Sequence, residues 1–344
     1  MNIRQAHIKR ILIIKLKGTG DVILSTVMIK NLAEAFPNAE LHYLTERPSI
    51  PILEAIPEIT RVIPYLPQQK GGGIQAIARV VRNRYDLVID AYSNPRTALI
   101  TFLSSAKYRL GFPYRGRKYA YNFFGPAHRT KYHSAELHLQ LISALKIPID
   151  YRDQYLVLPK EDILFAEHYI DQFPAGDFIG LCPGGGWASK KCDPEVFARI
   201  GDALVERFGC RIMIHWGKGD AEEAKKIESL MKQTPVMAPE TTFLQMGALM
   251  RKMSLLVSND SGPMHLAAAL GVKVLGLFGP TDPALQGPFG TGNGTIRKED
   301  LDCIGCNLLV CPRAHECFTQ LPVQEIVDTA AKLLQSSGKG QVSR

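Results

Sequence analysis

The 344-residue sequence has no stretch of about 18 uninterrupted apolar residues, so its hydropathy gives no helical membrane span. Its first residues, Met1-Asn2-Ile3-Arg4-Gln5, lack the apolar run and small-residue cleavage site of a secretory signal, and a cytoplasmic location is the expectation. There is no short internal repeat and no low-complexity tract. Acidic residues are missing from 106–131, a stretch that carries Lys107, Arg109, Arg115, Arg117, Lys118, Arg129 and Lys131. A dinucleotide fingerprint G-x-G-x-x-G is also missing: after Gly18 and Gly20 the third position holds Ile23, which weakens a dehydrogenase reading although Glu46 could mimic the ribose-binding acid.

What is present is an ordinary globular composition, 46% hydrophobic and 22% charged, in a chain long enough for two domains. The net charge of +8 is lopsided. Residues 1–150 hold 21 Lys and Arg against 10 Asp and Glu, and the remainder 20 against 23. A basic half suits a polyanionic partner: nucleic acid, an anionic membrane or an acidic substrate.

The hydrophobic pattern alternates short β-branched runs with helical periodicity. Residues 11–16 read as a strand, 22–36 as a helix ending before Pro37, 40–45 as a strand, 73–83 as a helix and 87–91 as a strand. A second series starts after 174–176, with strands at 178–182, 211–216, 254–259 and 272–278 and helices between them. Both series predict doubly wound, Rossmann-like α/β domains. The expected boundaries are 1–160 and 175–320, with a linker around 151–175. A terminal helix at 321–335 is expected to pack back on the N-terminal domain, and the residues from Ser336 are expected to fray.

Three segments can carry chemistry. In Gly18-Thr19-Gly20-Asp21, two glycines precede a helix start; Asp21 is either a helix cap or a carboxylate placed to take a proton. Pro183-Gly184-Gly185-Gly186-Trp187-Ala188-Ser189-Lys190-Lys191 is a Gly-rich strand end with two lysines suited to phosphate oxygens. Asn259-Asp260-Ser261-Gly262-Pro263-Met264-His265 opens a helix whose free N–H groups suit a diphosphate. The cysteines divide into scattered Cys182, Cys192 and Cys210, read as reduced core residues, and a C-x2-C-x4-C-x5-C cluster. Four cysteines so close, Cys303, Cys306, Cys311 and Cys317, suggest either a structural zinc or iron site or free thiols.

Together these segments resemble glycosyltransferase family 9, the ADP-heptose:lipopolysaccharide heptosyltransferases. The resemblance lies in the N-terminal Ile-Lys-x-x-x-x-Gly-Asp-Val stretch, His133-Ser-Ala-Glu-Leu-His-Leu, the Gly-rich loop with Lys190, and Asp260-Ser-Gly-Pro-Met-His followed by Phe-Gly-Pro-Thr-Asp-Pro. It implies a GT-B fold, an inverting reaction, ADP-L-glycero-D-manno-heptose as donor, the lipid A–core of lipopolysaccharide as acceptor, and no required cofactor or catalytic metal. It places the catalytic base at Asp21. Donor contacts fall at Gly185, Gly186, Lys190, Glu222, Asp260, Ser261, Gly262 and His265, those of the two glycines through their backbone. Acceptor contacts fall at Lys17, Gly20, Arg115, Arg117 and Lys118. The basic, aromatic stretch 106–131 then reads as a surface for acidic acceptor groups and for the cytoplasmic face of the inner membrane rather than for nucleic acid. Asp300-Leu301-Asp302 looks like the metal-binding pair of the other glycosyltransferase fold and is read as coincidence. Alternatives are another nucleotide-sugar donor, a nucleotide-sugar epimerase on the same fold, and a non-catalytic nucleic-acid binder.

Overall fold

A computed structural model describes Ile3 and residues 7–69 and 71–335. The N-terminal Met1–Gln5 reading, Ile3 apart, and the fraying expected from Ser336 lie outside the described residues. The chain divides into two units, Met1–Val157 and Leu158–Arg344.

The first unit holds one parallel sheet built from β1 (Arg10–Ile14), β2 (Glu40–Glu46), β3 (Ile59–Tyr65), β4 (Leu87–Asp90), β5 (Tyr108–Gly111) and β6 (Phe123–Phe124). Its strand order is β3-β2-β1-β4-β5-β6. The second holds β7 (Phe178–Cys182), β8 (Arg211–Ile214), β9 (Val236–Met237), β10 (Leu255–Asn259), β11 (Val274–Phe278) and β12 (Gly294–Arg297), ordered β12-β11-β10-β7-β8-β9. Counted from its own first strand, the second sheet repeats the order of the first. Each is the doubly wound order, with a switch point between two central strands, β1 and β4 in one and β7 and β10 in the other. Strands β7, β10 and β11 are buried along their whole length, as a parallel sheet covered on both faces requires.

The helix expected over 22–36 is broken. Helices Thr19–Ser25 and Ile29–Ala35 flank a 3-10 turn at Thr26–Met28. The cause is local: the Ser25 and Thr26 hydroxyls donate back to the carbonyls of Val22 (2.6 Å) and Ile23 (2.7 Å).

The segment expected to be a linker is ordered on both sides. The backbone N–H groups of Asp150 and Tyr151 donate to Asn31 Oδ1 (2.9 and 3.0 Å), and Asn31 Nδ2 donates to the Tyr151 carbonyl, which ties this stretch to the first unit. Residues Lys160–Ile170 form a helix that packs on helix Phe243–Met250 of the second unit. The placement of residues 321–335 on the N-terminal domain is also corrected. Helix Val323–Gln335 packs on helix Pro194–Phe208, β10 and β12, and Ile326, Val327 and Ala330 are buried in the second unit's core. An i, i+1, i+4 stripe buries against the nearest apolar surface, here beside the strand that precedes it in the chain.

Asp90, at the end of β4, is fully buried. It accepts hydrogen bonds from Tyr121 Oη (2.7 Å) and from the backbone N–H groups of Ser93 (2.7 Å) and Tyr92 (3.2 Å). Burial outweighs these bonds and raises its carboxyl to about 6 from 3.8. The proton is therefore held more tightly in the folded chain. This group's stabilising contribution is full below pH ~4 and is lost as pH rises to ~6. Asp90→Asn should not show that loss. Its stability relative to the parent should grow by about 3 kcal/mol between pH 4 and pH 6.5 in denaturant titrations and then level off; parallel curves would contradict the assignment.

Candidate active site

Both switch points carry polar clusters at the carboxyl ends of the strands. In the first unit, β1 runs out through Lys15 to Gly18, whose φ of +83° and close packing both need glycine. A Cβ there would sit 2.6 Å from Asp21 Oδ2. Asp21 lies in the first turn of helix Thr19–Ser25, a third exposed, with Oδ1 3.5 Å from Lys15 Nζ. Lys15 is nearly buried, and its ammonium also faces the Tyr92 ring at 5.5 Å. The two line a cavity of about 200 Å³ together with Tyr92, Tyr114, Arg129 and His138. His138 is held neutral: burial drives its imidazole down to about 3.

The acceptor residues expected from sequence are not among those lining this cavity. Lys17 is exposed in the turn beyond the strand, and Gly20 is buried inside the helix. Arg115, Arg117 and Lys118 are not among the residues lining the Asp21 cavity; the cations there are Lys15 and Arg129. A larger recess of about 750 Å³ lies at the amino ends of the strands, lined by residues including Lys9, Arg10 and Asp86. Three of its charged side chains are engaged: Asp86 accepts from the backbone N–H groups of Lys9 and Arg10 (2.8 and 3.0 Å), and Arg10 pairs with Glu40.

In the second unit, three loops meet at the switch point. Asn259, fully buried at the end of β10, holds both ends of the Gly-rich loop. Its Nδ2 donates to the Pro183 carbonyl (2.6 Å), and its Oδ1 accepts from the Cys192 N–H (3.1 Å). Gly184 leaves room for Asp220, whose Oδ2 would be 2.6 Å from a Cβ, whereas Gly186 faces open space. The loop sends its two lysines in different directions. Lys190 Nζ reaches Asp260 Oδ2 at 2.7 Å and lies 4.5 Å from the Trp187 ring centroid. The same Asp260 oxygen accepts from Thr281 Oγ1 at 2.6 Å, which brings in the loop after β11. Lys191 pairs instead with Asp220 (3.0 Å) and Glu223 (2.6 Å). Burial lowers the Lys191 ammonium, but those two carboxylates together hold it above its usual value.

Helix Gly262–Ala269 begins beside Asp260. Ser261 takes the N-cap position in extended backbone without a side-chain cap, Pro263 falls in the first turn, and His265 is buried. This start leaves backbone donors for a ligand. Glu222 is exposed in the first turn of helix Ala221–Leu230; its neighbour Glu223 is the one bound to Lys191.

The sequence model of glycosyltransferase family 9 (heptosyltransferase) matches residues 74–313. The chain belongs to glycosyltransferase family 9. It is 25% identical over 340 residues to lipopolysaccharide heptosyltransferase 3 of Escherichia coli K12, covering 92% of this chain and 95% of that one. It superposes on a family 9 glycosyl transferase from Veillonella parvula with TM-score 0.84, at 22% identity over 98% and 99% of the two chains. E. coli ADP-heptose heptosyltransferase II gives 0.77, at 20% identity over 95% and 99%. The two Rossmann-ordered units are those of the GT-B fold, and the protein is a glycosyltransferase.

The four clustered cysteines lie on one segment of this glycosyltransferase, between β12 and the terminal helix. Among the described residues no group of three or more His, Cys, Asp or Glu is arranged to hold a metal ion. Cys306 is exposed, while Cys317 is half-buried beside Gly279. Burial, then the neighbouring Cys311, Cys303 and Cys306, push the Cys317 thiol up to about 12 in the metal-free chain. Cys182, Cys192 and Cys210 are buried and free. Asp300 and Asp302 are each paired with a cation, Lys298 and Arg313.

Lys15 and Asn259 were given no site role from the sequence, and Arg129 was read only as one of the cations of stretch 106–131. Lys15 stood inside the recognised Ile-Lys-x-x-x-x-Gly-Asp stretch, and Asn259 immediately before Asp260, so position relative to the motifs was the available signal. Asn259→Ala would strand a buried carbonyl and a buried N–H at once. It should cost about 2–4 kcal/mol in denaturant unfolding. A loss under about 1 kcal/mol would show that the loop ends do not depend on this side chain.

Proposed function

We propose that the chain transfers a heptose from ADP-L-glycero-D-manno-heptose to the lipid A–core of lipopolysaccharide, with inversion, at the cytoplasmic face of the inner membrane. The observation that carries this reading is that each unit holds one half of the chemistry: an Asp21 carboxylate set in a cationic cavity in the first, and a Lys190–Asp260 site at a helix start in the second. The related proteins that define the chemistry act on these substrates by name: lipopolysaccharide heptosyltransferases in the sequence comparison, and an E. coli heptosyltransferase solved with an ADP-heptose analogue in the structural one.

Inversion in a single step needs a base and a leaving group on opposite faces of one sugar ring. The first unit supplies the base: Asp21 takes the proton of the attacking acceptor hydroxyl, within a cavity whose Lys15 and Arg129 suit an acidic acceptor. The second unit supplies the leaving-group contacts. Lys190 turns from Asp260 towards the departing diphosphate, and the N–H groups at Gly262 and Pro263's successors accept its remaining charge by donating to it. Asp260, Ser261 and His265 lie at the same helix start, the Gly185 and Gly186 backbone offers close approach, and exposed Glu222 is the group assigned to the nucleoside. These groups offset the diphosphate charge without a divalent ion.

The acceptor surface has a matching composition. From Ala91 to Ala135 the sequence holds no Asp or Glu. Exposed Leu99, Phe102, Leu103, Tyr119 and Phe124 stand among exposed Arg96, Lys107, Arg115 and Lys118, and the Phe102 and Tyr119 rings meet edge-on at 5.5 Å. Apolar side chains ringed by cations suit an anionic bilayer surface. Among the described residues no helix is long and apolar enough to cross a membrane.

In a transfer assay with ADP-heptose, truncated lipopolysaccharide cores and EDTA, the parent enzyme should form product only when acceptor is present. Asp21→Asn should lower kcat by about 100-fold or more while leaving ADP binding unchanged. Product without acceptor would favour epimerase chemistry, and undiminished transfer by the variant would remove Asp21 as base. In vesicle co-sedimentation, binding to phosphatidylglycerol vesicles should exceed binding to phosphatidylcholine vesicles. Combined Phe102→Ser and Lys118→Ala changes should weaken it about tenfold; equal binding by the parent and the variant would exclude this face as the docking surface.

A further inference from the structure

The cysteine segment 303–317 has no part in the chemistry above, yet it is pinned to both loops that carry the donor site. On one side, the Gly305 N–H donates to the Gly279 carbonyl (3.1 Å) and the Asn307 N–H to the Pro280 carbonyl (2.8 Å), just before Thr281. On the other, the Ser189 N–H donates to the Leu309 carbonyl (3.2 Å) and its hydroxyl to the Leu308 carbonyl. Phe318, fully buried, anchors the end of the segment in the core of the second unit. His315 completes the attachment. Its Nδ1 lies 3.1 Å from Asp193 Oδ2 and its Nε2 3.1 Å from the Ser189 carbonyl, and its ring packs edge-on against Phe318 with centroids 4.9 Å apart. One imidazole thus spans the residue before Lys190 and the cap of helix Pro194–Phe208.

We propose that segment 303–317 is a brace for the donor site, and that His315 is a positioning residue that fixes the Ser189–Lys190 turn for the nucleoside diphosphate. The brace acts through backbone. Lys190 needs its Nζ where both Asp260 and a phosphate can reach it, and a four-bond lysine stem on a glycine-rich loop loses that geometry when its base moves. Ser189 is the last residue before Lys190 and is held from three directions, by Leu308, Leu309 and His315. The loop after β11, with Thr281 on Asp260, is held by the same segment, so both sides of the Lys190–Asp260 pair share one support. The backbone of His315 is left-handed, with φ of +60°, which places its ring across the two partners and favours Asn over most other replacements.

This inference rests on the donor-site reading above, and its test separates the two. The probe is ADP, measured by calorimetry on the full chain beside steady-state donor and acceptor KM values. His315→Asn keeps the left-handed backbone and a donor near Asp193 but cannot reach Ser189. Its thermal stability should stay near that of the parent, while the ADP Kd and the donor KM rise about 5- to 10-fold and the acceptor KM is unchanged. Ser189→Ala, which removes the hydroxyl link to Leu308, should move the same two constants in the same direction. Failure of the parent to bind ADP would overturn the donor-site reading. An unchanged ADP Kd in both variants, with the parent binding normally, would overturn the brace. Equal rises in donor and acceptor KM that track a fall in Tm would reduce His315 to a general structural role and overturn it as well.

Discussion

A buried carboxamide at the end of β10 sets the geometry on which the second unit's site depends. Parallel strands deliver their loops to one edge of the sheet but do not say how a glycine-rich loop should lie there. Asn259 settles this by engaging the loop where it leaves β7 and where it enters the next helix, accepting at one end and donating at the other. With the ends fixed, Lys190 closes the 3-10 turn Ala188–Lys190 and reaches Asp260, while Lys191, in extended backbone after it, reaches Asp220 and Glu223. The cost of burying Asn259 is offset because its Oδ1 and Nδ2 each have a backbone partner.

The two units solve different electrostatic problems with the same strand order. The second, on the proposed reading, must tolerate a diphosphate, and there Asp260 balances the charge of Lys190. Asp260 in turn is satisfied by Thr281, so the empty site carries no unpaired buried charge on that pair. The first unit needs a carboxylate in a basic domain. Lys15 lies within 3.5 Å of Asp21 and His138 is kept neutral by burial, so the cavity gains one buried cation rather than two. Asp90, one strand away, is paired with a phenol and backbone amides, and supports the end of β4 rather than the cavity wall.

The repeated strand order follows from patterns a reader of the sequence could see: apolar β-branched runs, helical periodicity and Gly-rich turns at their junctions. The candidate segments around Asp21, Lys190-Lys191 and Asp260 were legible for the same reason, because each sits where a strand becomes a helix, and that transition is local in sequence. The acceptor side was less legible. Lys17, Arg115, Arg117 and Lys118 were the acceptor cations expected from sequence, whereas Lys15 and Arg129 are the cations lining the Asp21 cavity. Which lysine faces Asp21 depends on where β1 ends and how the chain turns, not on composition.

By itself the sequence determined the fold class, the two-unit plan and the places where chemistry can occur, since secondary structure and strand-end turns answer to neighbours a few residues away. Tertiary structure alone decided which of two adjacent lysines meets Asp260, that Asn259 clamps a loop 67 and 76 residues distant, and that segment 303–317 hydrogen-bonds to the loops at Ser189 and at Gly279–Pro280. It also put the terminal helix on the second unit. These outcomes share one physical reason. They are contacts between segments brought together by crossover connections in a parallel sheet, where partners are chosen by strand order and burial rather than by spacing along the chain.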